Sequence, residues 1–189
     1  MPEQSRTEAD ALAALAEGDR KRALTVLMRG YGTTLYQFCR NALRDDGLAE
    51  DVHQQVFVQA YTDLARFSGR STLKTWLFSI AHHRCLDVTR QNRRFAARFT
   101  VGEVPTEVPD PTPSPDESLA RGAIEKGIAR CLEALAPATR MAVRLRYSEG
   151  FTYEQMAAIC SEKPGTLQAR VARALPVVRR CLQKGGYEP

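Results

Sequence analysis

Apolar residues recur along this chain at three- and four-residue spacing, the period of a helix with one buried face. Val52, Val56, Phe57, Ala60, Tyr61 and Leu64 form one such stripe and predict a helix over 48–66. Leu73, Trp76, Leu77, Ile80, Ala81 and Leu86 form another, which opens near Ser71 and Thr72, residues whose hydroxyls cap helix starts. Leu24, Leu27, Met28, Leu35 and Phe38 predict a preceding helix or helix pair, with a bend expected near Gly30 and Gly32. No segment alternates apolar and polar positions long enough to demand a strand, so the expected class is all-α.

Four further helices are predicted beyond residue 119. The first, 119–135, stops before Pro137, and the second, 138–148, runs to Gly150. Thr152, Tyr153, Glu154 and Gln155 have the spacing of a capping box, followed by apolar Met156, Ala157 and Ile159. After Cys160, Ser161, Glu162 and Lys163, Pro164 stands where a first helical turn accepts proline. The last helix has Leu167, Val171 and Leu175 as its expected buried seam, and Pro176 is expected to bend or end it near 172–175. A short helix, a turn of about four residues and a longer helix define a helix-turn-helix.

Five prolines, at 105, 109, 111, 113 and 115, fall in eleven residues and predict an acidic, extended linker over 96–118. The chain therefore divides into helical modules at 1–95 and 119–189. Their nets are +3 and +6 around a linker of −4, within an overall charge of +5. At 43% apolar the chain can bury a core, which excludes wholesale disorder. It has no apolar run long enough to span a bilayer, and residues 1–8 are polar and lack a secretory h-region. A cytoplasmic protein without direct membrane insertion is expected. Cys39, Cys85, Cys131, Cys160 and Cys181 contain no C-x-x-C pair and read as reduced, buried thiols rather than a disulfide frame.

Charge points to nucleic acid. The last helix carries Arg170, Arg173, Arg179, Arg180 and Lys184 and no acid between Thr166 and Lys184. Gln168, Arg170 and Arg173 project away from the seam, where a recognition helix meets base edges and phosphates. Between Arg66 and Arg98 stand eight bases and one acid, Asp87, interleaved with Phe67, Trp76, Phe78, Phe95 and Phe99. Bases for phosphate and aromatics for unstacked bases suit single-stranded nucleic acid. Trp76 falls on the apolar stripe and is read as core; the loop Phe67, Ser68, Gly69, Arg70, Ser71 and Thr72 is the candidate surface. Asp45, Asp46, Glu50 and Asp51 open the 48–66 helix, with Gln54, Gln55 and Gln59 further along. That face is either capping and solvation or a protein-docking face, and residue chemistry alone leaves both open. His82, His83 and Cys85 cannot converge on one ion, because adjacent helical residues diverge by about 100°; no metal, cofactor or catalytic residue is expected.

The stretch Gly47-Leu48-Ala49-Glu50-Asp51-Val52-His53-Gln54-Gln55-Val56-Phe57 resembles the AEDxxQxxF signature of region 2 in RNA polymerase sigma factors of the extracytoplasmic-function (ECF) type. Phe67-Ser68-Gly69, then Thr75 to Ala81 and Arg84, Asp87 and Arg90, resemble the rest of that region. Leu135-Ala136-Pro137, Arg140, Val143, Leu145-Arg146-Tyr147 and Gly150 through Ala157, then Gly165-Thr166-Leu167, are similar to region 4. The resemblance implies an alternative sigma factor that binds core RNA polymerase and directs promoter-specific initiation under an anti-sigma factor. Glu50, Asp51, Gln54 and Phe57 would dock on polymerase. Phe67 to Thr72, His83, Arg84, Asp87 and Arg90 would hold the single-stranded −10 element. Thr152, Tyr153, Gly165, Thr166, Gln168, Ala169, Arg170 and Arg173 would read the duplex −35 element. The competing reading is a helix-turn-helix transcriptional activator with a helical sensor domain, which needs no polymerase-docking helix.

Overall fold

The computed structural model describes residues 2–99 and 118–186, and all regular structure among them is helical. The elements are α1 (Pro2–Ala16), α2 (Arg20–Leu43), α3 (Asp46–Asp63), a 3-10 turn (Leu64–Arg66), α4 (Leu73–Phe99), α5 (Ser118–Glu133), α6 (Pro137–Tyr147), α7 (Tyr153–Cys160) and α8 (Pro164–Lys184). Helix α4 continues through Phe99, into the segment expected to be linker. The proline-rich stretch itself, and the side chains of Phe95, Arg98 and Phe99, lie outside the described residues.

Local chemistry sets the helix ends. Asp19 accepts from the Arg22 amide at 2.9 Å to start α2, and Asp45 accepts from the Leu48 amide at 2.8 Å to start α3. The Thr72 hydroxyl accepts from the Thr75 amide at 3.1 Å and opens α4 where the sequence places the cap. A second cap on α4 arrives from far along the chain. The Glu8 carboxylate of α1 accepts from the Lys74 amide at 3.2 Å, an anion at the positive end of a helix.

Helix α2 runs unbroken through Gly30 and Gly32, where a bend was expected. Gly30 serves packing instead. A Cβ at Gly30 would collide with the Thr7 side chain of α1, and the Gly32 carbonyl lies 3.0 Å from His53 Nε2 of α3. Helices α2, α3 and α4 enclose the first core, which includes Leu27, Leu35, Phe38, Val52, Val56, Leu77 and Phe78, with α1 covering α2 through Ala11 and Ala14.

The second module is not separate from the first. Met141, Leu145, Phe151, Met156, Ile159, Leu167 and Val171 belong to the same continuous buried cluster. Phe151, just before α7, makes one contact across it: its ring meets Phe78 at 5.1 Å, and Phe78 meets Phe38 at 5.4 Å. The Lys74 ammonium lies 4.8 Å from the Phe151 ring centre and donates to the Glu149 carbonyl at 2.8 Å. Arg44 and Glu133 pair at 3.1 Å nearby. A smaller cluster of Leu132, Val143 and Ala174, flanked by Leu135 and Val178, joins α5, α6 and α8.

Three expectations are corrected. The seam of α8 is Leu167, Val171 and Ala174, whereas Leu175 is 40% exposed. Seven residues return within about 20° of the same helical face, and eight overshoot it by about 80°. Pro176 does not end α8, which continues to Lys184, with Ala174 and Val178 anchoring the helix on both sides of it. Cys131 and Cys181 are not reduced thiols: they form a disulfide joining α5 to α8 across 50 residues, with Cα atoms 5.6 Å apart. Cys39, Cys85 and Cys160 are free and buried, as expected.

Candidate nucleic-acid interface

The exposed edge of α3 follows its helical period. Glu50, Asp51, Gln54 and Gln55 are exposed, and the ridge ends at Val58, 69% exposed. Acids, amides and one bare apolar side chain on a single face exceed what capping requires. Val58 was missed because an isolated valine in a helical stripe carries no signal of its own. Phe57, expected among the docking residues, is 5% exposed and packs edge-on to His53 at 5.1 Å. It positions the ridge from below and does not present a contact surface.

A cleft of about 260 Å³ opens beside the loop before α4, lined by Arg66, Phe67, Ser68, Arg70, Ser71, Thr75, Trp76, Ser79 and Ala158. Phe67 and Trp76 form its aromatic part, with ring centres 5.5 Å apart and planes inclined by 57°. Trp76, read as core from the sequence, is only partly buried: one part packs on the core and the other faces the cleft. Gly69 turns the loop at φ +70°, a left-handed conformation that side chains rarely adopt. Arg70 Nε donates to Ser68 Oγ at 3.0 Å and keeps its cation at the rim. Two aromatic rings, hydroxyls and two arginines match the chemistry of a planar, hydrogen-bonding group on an anionic backbone.

The remaining predicted −10 residues lie further along α4. Arg84, Asp87 and Arg90 line a groove of about 520 Å³ with Gln55, Val88, Gln91 and Arg94. Arg84 is fixed by a 2.8 Å bond to Gln59 Oε1, and Gln59 is held in turn by Asp63 at 2.5 Å. His83 has a different neighbourhood. Its Nδ1 lies 2.7 Å from the Ser79 carbonyl and its Nε2 lies 3.4 Å from Ser161 Oγ of the helix-turn-helix. His82 beside it is buried, and that burial pushes its imidazole down to about 4, with His83 adding repulsion.

In the helix-turn-helix, the capping box forms in both directions. The Thr152 hydroxyl accepts from the Gln155 amide at 3.2 Å, and the Gln155 side chain accepts from the Thr152 amide at 2.9 Å. Helix α7 closes on Ser161 in a left-handed conformation, and Pro164 begins α8. Tyr153 lies under the Arg146 guanidinium at 5.1 Å. Gly165, Thr166, Gln168, Ala169 and Arg173 stand exposed on α8, above the buried seam. Arg170 does not join them as a free cation. Both its terminal nitrogens donate to Glu162, at 2.7 and 2.5 Å, so it braces the turn.

Helices α4 and α7 face each other. Helix α7 packs on α4, Ala158 forms a wall of the aromatic cleft, and Ser161 meets His83. Fold and surface together define a DNA-reading protein in which a helix-turn-helix packs beside a basic aromatic cleft.

Comparison with known proteins agrees. Residues 27–95 match Sigma-70 region 2, and residues 126–175 match Sigma-70, region 4. The ECF RNA polymerase sigma factor SigC of Mycobacterium tuberculosis is 33% identical over 165 residues, covering 87% of this chain and 85% of that protein. The sigma factor RpoE of Bartonella quintana, solved in complex with the anti-sigma factor NepR, is 25% identical, with a TM-score of 0.68 over 82% of this chain and 94% of that one. CnrH, solved in complex with the cytosolic domain of CnrY, is 25% identical, with a TM-score of 0.66 over 94% of this chain and 99% of that one. The chain belongs to the ECF family of RNA polymerase sigma factors, which are transcription initiation factors.

Proposed function

We propose that this chain binds core RNA polymerase and carries it to promoters by holding the unpaired −10 element in region 2 and the duplex −35 element in region 4. The observation that carries the reading is the coexistence, in one chain, of the Phe67–Trp76 cleft and the exposed face of α8. Residues 1–95 form the polymerase- and −10-binding unit, 96–118 the tether, and 119–189 the −35-binding unit. Glu50, Asp51, Gln54 and Val58 supply the polymerase contact.

The mechanism is binding rather than catalysis. Arg66, Arg70, Arg84 and Arg90 neutralise phosphates and supply salt-dependent affinity. Phe67 and Trp76 make contacts available only to an unpaired base, so they shift the duplex toward its melted state. On α8, Gln168 and Arg173 approach base edges and phosphates, while Arg170 keeps the turn rigid. Each module binds modestly, and joining both to one polymerase raises their effective concentration.

Because α7 covers one wall of the cleft, the closed chain must open before both elements engage DNA. One solved relative was captured with an anti-sigma factor and the other with the cytosolic domain of CnrY, which favours control of this chain by an anti-sigma partner, acting in the cytoplasm. The match to region 2 disfavours an activator with a sensor domain.

The test is run-off transcription with purified core polymerase and a library of promoter templates. Defined starts that depend on the added chain support the reading. Absence of association with core polymerase, with no defined start, contradicts it.

A further inference from the structure

The five cysteines fall into two chemical groups. Cys39, Cys85 and Cys160 are buried and free; burial raises the Cys160 thiol to about 12, and the neighbouring Cys39 together with burial raises Cys85 as well. They are inert packing groups. Cys131 and Cys181 are bonded, and their bridge lines a surface groove of about 440 Å³ with Lys126, Gly127, Arg130, Lys184 and Gly185. That lining has three cations and no carboxylate.

The bridge is not required to bring α5 and α8 together. Leu132, Leu135, Val143, Ala174 and Val178 already join them, and Leu167 and Val171 anchor the reading half of α8 in the main core. A disulfide that the fold can lose, set at a surface groove, is unusual in a cytosolic protein unless it undergoes exchange. The inference rests on the proposed function only for the cytoplasmic setting.

We propose that Cys131–Cys181 is a thiol-exchange site and that Lys126, Arg130 and Lys184 select an anionic low-molecular-weight thiol as its reductant. Cys131 is 4% exposed and Cys181 is more accessible, so the incoming thiolate attacks Cys181 Sγ. A sulfur–sulfur bond forms to the reagent, the Cys131–Cys181 bond breaks, and its electron pair leaves on Cys131 Sγ as a thiolate. A second thiolate attacks the reagent's sulfur in the mixed disulfide and releases the Cys181 thiolate. Two reagent thiolates are oxidised to one disulfide, and the protein disulfide gains two electrons. The cations act on each step by attracting the reagent and stabilising the thiolates that leave. Exchange opens the bridge while the Leu132, Val143, Ala174 and Val178 packing keeps α8 on α5 and the Gln168–Arg173 face in place.

The test uses the full chain, isolated without reductant and in the absence of DNA and polymerase, so its failure is separate from failure of the sigma-factor reading. Reduction rates are measured with 2-mercaptoethanesulfonate, 2-mercaptoethanol and cysteamine, each divided by that thiol's rate with a small uncharged disulfide. The anionic thiol should be favoured over the neutral one by about tenfold, and the cationic one disfavoured. High salt should remove that preference, as should the triple variant Lys126→Ala, Arg130→Ala, Lys184→Ala. Salt on the wild-type chain decides the matter if that variant does not fold. Mass mapping should place the trapped adduct on Cys181. Isolation with both thiols free, equal normalised rates for the three reagents, a salt-insensitive preference, or an adduct on Cys131 would each overturn the proposal.

Discussion

Phe151→Ala removes a buried ring that packs from one module onto the other. Phe151 is 2% exposed, packed against Phe78 at 5.1 Å with the Lys74 ammonium 4.8 Å from its ring centre. Truncating a buried phenylalanine costs about 3–5 kcal/mol in transfer and cavity terms. The Lys74 contact adds little, because burial already lowers the pKa of that lysine and so disfavours its charged form. Part of the loss falls on the contact of Phe151 with Phe78 of α4, and the capping box of α7, made by Thr152 and Gln155 alone, stays intact. At about 1.4 kcal/mol per factor of ten, the closing equilibrium should fall by roughly two to three and a half orders of magnitude. Small-angle scattering should report a larger radius of gyration, and hydrogen exchange should rise on the facing sides of α4 and α7 while the amides of α2 and α3 stay protected. An unchanged radius with a lower melting temperature for the whole chain would refute the clasp and make Phe151 an ordinary core residue.

Other consequences are equally specific. Burial holds the His82 imidazole at about 4 against an ordinary 6.5, so the unfolded chain binds the proton first as pH falls. Stability is therefore full above about pH 6.5 and declines through the window down to about 4, by roughly 2 kcal/mol between pH 6.5 and 5. Urea unfolding at pH 7 and pH 5 should show this, and His82→Leu should flatten the difference; an equal slope in the variant would contradict the assignment. Arg173→Ala should weaken promoter binding without loss of stability, whereas Arg170→Ala should lower unfolding stability by about 1.5–3 kcal/mol, because it leaves Glu162 without its paired donors. Comparison of promoter affinity with urea midpoints separates the two, and interchange of these effects would reverse the roles given to them. Val58→Asp should reduce affinity for core polymerase at least tenfold and leave the melting temperature within a degree or two; undiminished affinity would remove Val58 from the docking ridge.

Much of this fold was legible because its signals are local. The stripes over 48–66 and from Leu73 onward, the Thr72 cap, the Thr152–Gln155 box and Pro164 at the start of α8 each depend on residues within one or two turns. Helix α1 left no comparable trace, since its buried face is alanine, whose small side chain hardly raises a hydrophobic pattern. Non-local chemistry was also hidden. The spacing of Cys131 and Cys181 does not reveal their pairing, and nothing near Lys74 announces that Glu8 caps its amide or that Phe151 lies against it. Arg170 and Arg173 looked alike because charge on a helix face does not show which cation has a partner; the distinction came from Glu162, eight residues away across the turn. Trp76 was divided between core and cleft by the loop that brings Phe67 back to it.

On the proposed function, one chain seated on polymerase holds melted DNA in region 2 and duplex in region 4. Photo-crosslinking groups at positions 76 and 173, in a complex of core polymerase, full chain and promoter DNA, test this directly. Position 76 should label an unpaired −10 base, position 173 the duplex −35 region, and both products should vanish without core polymerase. Labelling of duplex by position 76, or identical products with the polymerase left out, would contradict it.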